Sequence, residues 1–141
     1  MENKTKKSDT QDFLHCPICG NVIIKLEDSG MTPVCCSRKM EMLEANSSDG
    51  SPEHHIPVWE MDGNKVMVKI GSEEHPMSTE HQINWILVKT NKGTHTIFLS
   101  PEDKPEACVK LSHCECVTAV YCYCNLHGLW KANIVPDEDC D

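Results

Sequence analysis

Apolar positions in this chain alternate with polar ones over short runs, and nowhere do they hold a helical spacing for several turns. Val66, Val68 and Ile70 interleave with Met67 and Lys69, the period of two expected of a strand with one buried face. Asp62-Gly63-Asn64 just before them is a hairpin signal. Ile83-Asn84-Trp85-Ile86-Leu87-Val88 has little polar relief and predicts a central strand. Asn91-Lys92-Gly93 turns it into a strand over Thr94–Leu99, with Gly93 placed to take a left-handed conformation. A further strand is predicted over Val117–Cys124. No amphipathic helix and no internal repeat is found. Short strands separated by turns predict an antiparallel β-sandwich.

The pattern changes near residue 46. Asn46-Ser47-Ser48-Asp49-Gly50-Ser51-Pro52 is a run of turn and linker formers. It divides a four-cysteine segment, 13–45, from the strand-rich segment, 53–135. A polar tail over 1–12 and an acidic tail over 136–141 flank them. The first 52 residues carry 6 basic and 8 acidic side chains, and the remainder 7 and 14, which together give the net charge of −9. So negative a chain argues against nucleic acid or an anionic membrane surface as partner. The longest stretch free of Asp, Glu, Lys and Arg runs over the 15 residues from Cys116 to Trp130, too short and polar to span a bilayer. The N-terminal lysines are followed by Ser8-Asp9-Thr10-Gln11-Asp12 where a signal peptide needs an apolar run, so a cytoplasmic protein is expected. In that reducing compartment, 10 cysteines and 8 histidines read first as metal ligands or reactive groups.

Cys16-Pro17-Ile18-Cys19-Gly20 is a Cys-x2-Cys knuckle, and the adjacent pair Cys35-Cys36 follows fifteen residues later. Four thiolates from two short loops can enclose one tetrahedral metal, and a segment this small needs that metal to fold. Spacing does not name the ion. Structural zinc is the common occupant of such sites, the adjacent Cys-Cys pair departs from the ordinary zinc ribbon and tilts toward iron, and a Cys16–Cys19 redox disulfide is a third option.

The second segment carries His54-His55-Ile56-Pro57, His75-Pro76-Met77, His81, and Cys124-Asn125-Leu126-His127-Gly128. Cys124-x2-His127 is a plausible chelating pair, because one tight turn brings both donors to one ion. Taken in order, Cys-x2-Cys, Cys-Cys, Glu53-x-His55-x-Pro57, His75-Pro76-Met77, His81-x-Ile83-x-Trp85 and Tyr123-Cys124-Asn125-x-His127-Gly128-x-Trp130 closely resemble the desulfoferrodoxin family, over roughly residues 13–134.

The resemblance implies an all-β protein, with a small desulforedoxin-like domain followed by an immunoglobulin-like sandwich. It implies two iron ions per chain. One would lie in Cys16, Cys19, Cys35 and Cys36. The other would have His55, His75, His81 and His127 as equatorial ligands and Cys124 as axial ligand, with the sixth position open. The activity implied is superoxide reduction, in which superoxide, one electron and two protons give hydrogen peroxide. A rubredoxin-like electron donor and a homodimer are the family expectation. Iron can supply one electron where zinc cannot, and a thiolate opposite the open position pushes electron density toward whatever binds there. Glu53 matches the family carboxylate that can close that position. His54 stands where most members have lysine, so the fixed positive charge beside the site is replaced by a group that is mostly neutral at pH 7. The expectation is that His54 steers or protonates only partially, with a rate that rises as pH falls through its titration.

Cys108, Cys114, Cys116, Cys122 and Cys140 match no family ligand. The first four are expected to be free thiols buried as small hydrophobes, in preference to a further metal site of His113, Cys114, Cys116 and Cys122, while Cys140 in the acidic tail is expected to be exposed and oxidisable. His15 and His95 read as ordinary surface or strand residues. Two other functions compete with the enzyme: a non-catalytic iron electron carrier and a zinc-stabilised binding module.

Overall fold

The computed structural model describes residues 10–132, so Cys140, the acidic tail and most of the polar tail lie outside the described residues. The chain divides into two compact units, one over Gln11–Glu44 and one beginning at Ala45.

The smaller unit contains only two-residue strands: β1 (Leu14–His15), β2 (Val22–Ile23), β3 (Val34–Cys35), β4 (Arg38–Lys39) and β5 (Glu41–Met42). They pair antiparallel in the order β2-β1-β5, with β3-β4 as a separate hairpin. Phe13, Cys16 and Met40 are the buried apolar side chains here, while Ile18, Leu26, Met31, Val34 and Met42 are exposed. So little burial cannot offset the chain entropy of ordering the unit.

The larger unit is a sandwich of seven strands. One sheet has the order β10-β7-β6, built from β6 (Pro57–Asp62), β7 (Lys65–Ile70) and β10 (Glu106–Lys110). The other has the order β12-β11-β8-β9, built from β8 (Ile83–Thr90), β9 (Thr94–Phe98), β11 (Val117–Cys124) and β12 (Gly128–Lys131). All pairings are antiparallel. Val66, Val68 and Ile70 from one sheet meet Ile83, Ile86, Val88, Val120, Cys122, Cys124 and Trp130 from the other in a single core. The expected alternation in β7 is therefore a true inward face, and Gly63 turns the β6–β7 hairpin at φ +64°.

Three strands escaped the sequence pattern. β10 is an edge strand with one buried side chain, Val109. β6 buries only Pro57, and β12 is four residues long. The expectation for Gly93 is corrected, since its φ is not left-handed. The Thr90 hydroxyl instead accepts the N–H of Lys92 and of Gly93, each at 3.1 Å, which closes that turn without the special backbone. One short helix, α1 (Pro52–His55), also appears. The residues with linker composition are pinned along β12. Asn46 N–H donates to Leu129 O, Lys131 N–H donates to the Asn46 side chain, and the Ser48 hydroxyl donates to His127 O.

Candidate metal centres

The first cluster begins with a knuckle. Gly20 N–H returns to Cys16 O at 2.9 Å with Gly20 at φ +86°, which turns the chain so that Cys16 and Cys19 face the same way. Adjacent residues of a strand point to opposite faces, so Cys35 and Cys36 could not both face one ion if the strand continued. Cys36 and Ser37 instead take φ +53° and +63°, a two-residue primed turn between β3 and β4 that swings the second thiol round. The donor atoms of Cys16, Cys19, Cys35 and Cys36 all lie within 4.8 Å of one another, with Cys19 Sγ and Cys35 Sγ at 3.5 Å.

The four thiols do not ionise alike. The Cys19 N–H directed at Cys16 holds that thiol down to about 6, while the neighbouring sulfurs of Cys19 and Cys16 push Cys36 up to about 12. Cys16 is thus biased toward the thiolate, while Cys35 and Cys36 are held protonated by their sulfur neighbours until a cation takes the proton's place, which is how a metal-dependent cluster behaves.

The second cluster is assembled over a far longer stretch of chain. Cys124 ends β11, where Tyr123 faces Trp85 but Cys124 faces Ile83, so Asn84 is the extra residue of a bulge. The bulge turns both Ile83 and Ile86 into the core. The next turn carries His127, α1 carries His55, and the loop between β7 and β8 carries His75 and His81. Donor atoms of His55, His81, Cys124 and His127 lie within 4.8 Å of one another. His127 Nδ1 is 3.1 Å from His55 Nε2 and 3.8 Å from Cys124 Sγ. The His75 ring stands 4.7 Å from the His55 ring and 4.6 Å from the His81 ring, centroid to centroid.

Two hydrogen bonds fix which nitrogens face inward. His55 Nδ1 is 2.7 Å from Ser51 O, and His75 Nδ1 is 2.6 Å from Pro76 O. A carbonyl only accepts, so each Nδ1 carries the hydrogen and each Nε2 offers its lone pair to the centre. Burial keeps both rings neutral, His75 down to about 4, and lowers His81 in the same way. Among the described residues, the buried side-chain N and O atoms without a hydrogen-bond partner are His75 Nε2 and His81 Nε2. Two buried ring nitrogens without partners, beside a group of imidazoles and a thiol, are costly unless a cation satisfies them. Burial raises the Cys124 thiol, opposed by the N–H groups of Leu126 and His127, which favour the thiolate a metal requires.

The surrounding contacts were hidden from sequence. Trp130 stacks on His55 at 4.8 Å and donates Nε1–H to His127 O at 3.2 Å. Gly50 lies so close that a Cβ there would meet His127 at 2.9 Å and His55 at 3.1 Å. The glycine in the linker run was the available signal, though composition alone reads it as flexibility. Cys122 is fully buried and its thiol donates to His55 O at 3.3 Å.

Glu53 and His54 sit on α1 beside the cluster but outside its donor group. The Ser51 hydroxyl donates to Glu53 Oε1 at 2.8 Å and contacts His54 Nδ1 at 3.2 Å, while His54 Nε2 is 3.5 Å from Glu73 Oε1. Of the surplus cysteines, Cys122 is the buried free thiol expected, whereas Cys108 and Cys114 are free but exposed. Cys116 corrects the expectation, being disulfide-bonded. The further metal site is not assembled, because Cys122 lies in the core and pairs with Ile86, in the part of β11 that leads to Cys124, while His113 and Cys114 precede the opposite end of that strand.

An antiparallel sandwich with a buried His/Cys cluster, joined in one chain to a four-cysteine knuckle, defines a two-centre β-protein. The desulfoferrodoxin family model matches residues 47–133. The desulfoferrodoxin of Syntrophotalea carbinolica is 41% identical over 120 residues, covering 83% of this chain and 91% of that protein. A desulfoferrodoxin homolog of Archaeoglobus fulgidus is 38% identical, covering 89% and 98%. Among solved structures, the superoxide reductase from Treponema pallidum is 32% identical, with a TM-score of 0.73 over 88% of this chain and 99% of that one. The chain belongs to the desulfoferrodoxin family.

Proposed function

We propose that this chain is a superoxide reductase, in which superoxide, one electron and two protons yield hydrogen peroxide. The observation that carries the reading is the convergence of three imidazoles and one thiol, with the ring of His75 packed against two of those imidazoles and the Nε2 atoms of His75 and His81 buried and unpartnered. His55, His75, His81, His127 and Cys124 are the residues that would hold iron there, and Cys16, Cys19, Cys35 and Cys36 those that would hold a second iron. Iron in the His/Cys centre supplies the single electron that superoxide takes up.

The chain's own residues do the rest. Ser51 O and Pro76 O hold two imidazoles in one tautomer and orientation. Trp130 braces His55 and His127, and Gly50 leaves them room. Cys124 would give the ion a thiolate ligand, its ionised form favoured by the N–H groups of Leu126 and His127. Glu53 would be the carboxylate able to close the ion's open side, and His54 is its neighbour on α1. Cys19 and Cys36 are exposed, which suits an iron that takes electrons from a small carrier such as a rubredoxin-like donor. The exposed Ile18, Leu26, Met31, Val34 and Met42 give a second copy an apolar surface to cover, in keeping with a homodimer. Among the described residues no helix is long and apolar enough to cross a membrane. The eight free cysteines among those residues suit the reducing cytoplasm, where we place the protein.

The test is peroxide formed per superoxide consumed, measured with iron per chain. One peroxide per superoxide at two irons is expected. A colourless, zinc-loaded protein, or one peroxide per two superoxides, defeats the reading.

A further inference from the structure

Ser51 is the residue that precedes α1, where a serine hydroxyl ordinarily accepts a hydrogen bond from a helix N–H. Here it makes no such cap. Its hydroxyl is turned onto the Glu53 carboxylate at 2.8 Å, and the same oxygen lies 3.2 Å from His54 Nδ1. Its carbonyl meanwhile fixes His55 Nδ1 at 2.7 Å. The residue is held extended, with φ −73° and ψ 120°, as the one before a proline prefers. The backbone that orients His55 is therefore set independently of the hydroxyl. The turn is braced from the other side by Glu73 N–H donating to Glu53 O at 2.9 Å. Gly71 packs so tightly there that a Cβ would meet Glu53 O at 2.8 Å. The backbone of Glu53 is thus fixed, which leaves its side chain to move. The carboxylate is held by the N–H of Glu53 itself and by the Ser51 hydroxyl, and no carboxylate belongs to the His/Cys donor group among the described residues.

We propose that the Ser51 hydroxyl is a positioning group that retains the Glu53 carboxylate away from the His/Cys centre, and so sets how strongly that carboxylate competes with small anions for the open side. The inference rests on the reading that iron occupies this centre and that Glu53 can close it. A hydrogen bond to an ionised carboxylate must be broken before that carboxylate can move, so each competitor gains what Glu53 forfeits.

The test uses the full chain loaded with iron and oxidised. Cyanide is titrated in, and its apparent dissociation constant is read from the visible ferric–thiolate band. Ser51→Ala is expected to weaken cyanide about threefold to tenfold, as loss of one charge-assisted hydrogen bond implies. Ser51→Thr keeps the hydroxyl and restores the wild-type value, while Ser51→Val, of the same shape without it, behaves as Ser51→Ala. Iron content of the Thr and Val pair checks that both fold. In a Glu53→Ala background the Ser51 substitutions lose their effect. A Ser51→Ala shift below twofold overturns the proposal, as does a shift that persists without Glu53. If Glu53→Ala alone leaves cyanide binding unchanged, the idea that Glu53 closes the site fails and takes the clasp with it. If the wild-type chain with full metal lacks the thiolate band, the iron-centre reading itself has failed.

Discussion

The four-cysteine cluster draws its ligands from the 21 residues between Cys16 and Cys36, on two tight turns whose shape is set by Gly20, Cys36 and Ser37. The His/Cys cluster draws on residues from His55 to His127, carried by a helical turn, a long loop, the end of β11 and the turn after it. The first is local in sequence and lacks a core. The second is distant in sequence and sits on a core of thirteen buried residues. A metal in the first must supply folding free energy, whereas the sandwich holds the second cluster's imidazoles in place by burial and by backbone carbonyls.

Substituting one ligand in each cluster tests that contrast most harshly. Cys16→Ser is expected to empty and unfold the small unit while the sandwich stays folded with its own ion. Iron should fall from two per chain to one, and the amide resonances of Val66–Ile70 and Val117–Cys124 should keep their dispersion. Collapse of those resonances would show that the two units do not fold separately. Cys124→Ser should leave the sandwich folded but lower peroxide production by more than the about 10–100-fold that loss of an outer contact costs a metal site. The visible band of the His/Cys centre should vanish with it.

Gly50→Ala probes how rigidly the sandwich presents its ligands. The new methyl would lie 2.9–3.1 Å from the His127 and His55 rings, so one of them must move. Trp130 stacks on the His55 ring and holds the His127 carbonyl, so the strain falls on the metal site. Iron affinity is expected to drop about tenfold, with thermal stability of the apo chain little changed. Unchanged affinity in competition with a chelator would mean that the loop yields instead.

The contrast also explains what was legible. Cys-x2-Cys followed by Cys-Cys announces the first cluster, because its ligands are neighbours in the chain. β7, whose side chains alternate, and β8 and β11, whose apolar runs mark central strands, were readable for the same reason. His75 and His81 meet His55 only through the sandwich, so spacing could not unite them, and the ordered family motifs did. Ser51, Gly50 and the Pro76 carbonyl act through backbone position, on which composition is silent. The edge strand β10 was missed because a strand with one buried side chain shows no alternation.

The opposite end of β8 and β11 offers a control without a metal. The Glu115 side chain is only 8% exposed there, which works against its charge. Yet Ser112 N–H, His95, the Thr90 hydroxyl and the Ser112 hydroxyl together hold its carboxyl down to about 2. A carboxyl depressed on folding stabilises the protein above its unfolded pKa and ceases to do so as pH falls from about 4.5 toward 2. Glu115→Gln should therefore cost up to about 3 kcal/mol in urea unfolding near neutral pH. The gap between variant and wild type should narrow as pH is lowered to about 3. A gap independent of pH would assign the effect to shape and not to charge.

The smallest effect expected is at His54, where the sandwich carries an excess of acidic side chains and the usual lysine is absent. His54 is 40% exposed and stands 3.5 Å from Glu73, so whatever positive charge it carries is partly answered by that carboxylate. A substrate anion approaching the centre meets a weak local field within a repulsive surround. His54→Lys fixes a full charge at the same place without touching a ligand. The second-order rate with superoxide should rise about twofold to fivefold at low ionic strength, and the gain should shrink as salt shortens the screening length. Glu73→Gln should give a lesser rise in the same direction, since it removes the competing charge and leaves His54 in place. Rates by pulse radiolysis that do not move in either variant would mean that the field reaching the entry is set elsewhere on the sandwich, and that the residue beside His55 is free to vary because the ligands alone govern capture.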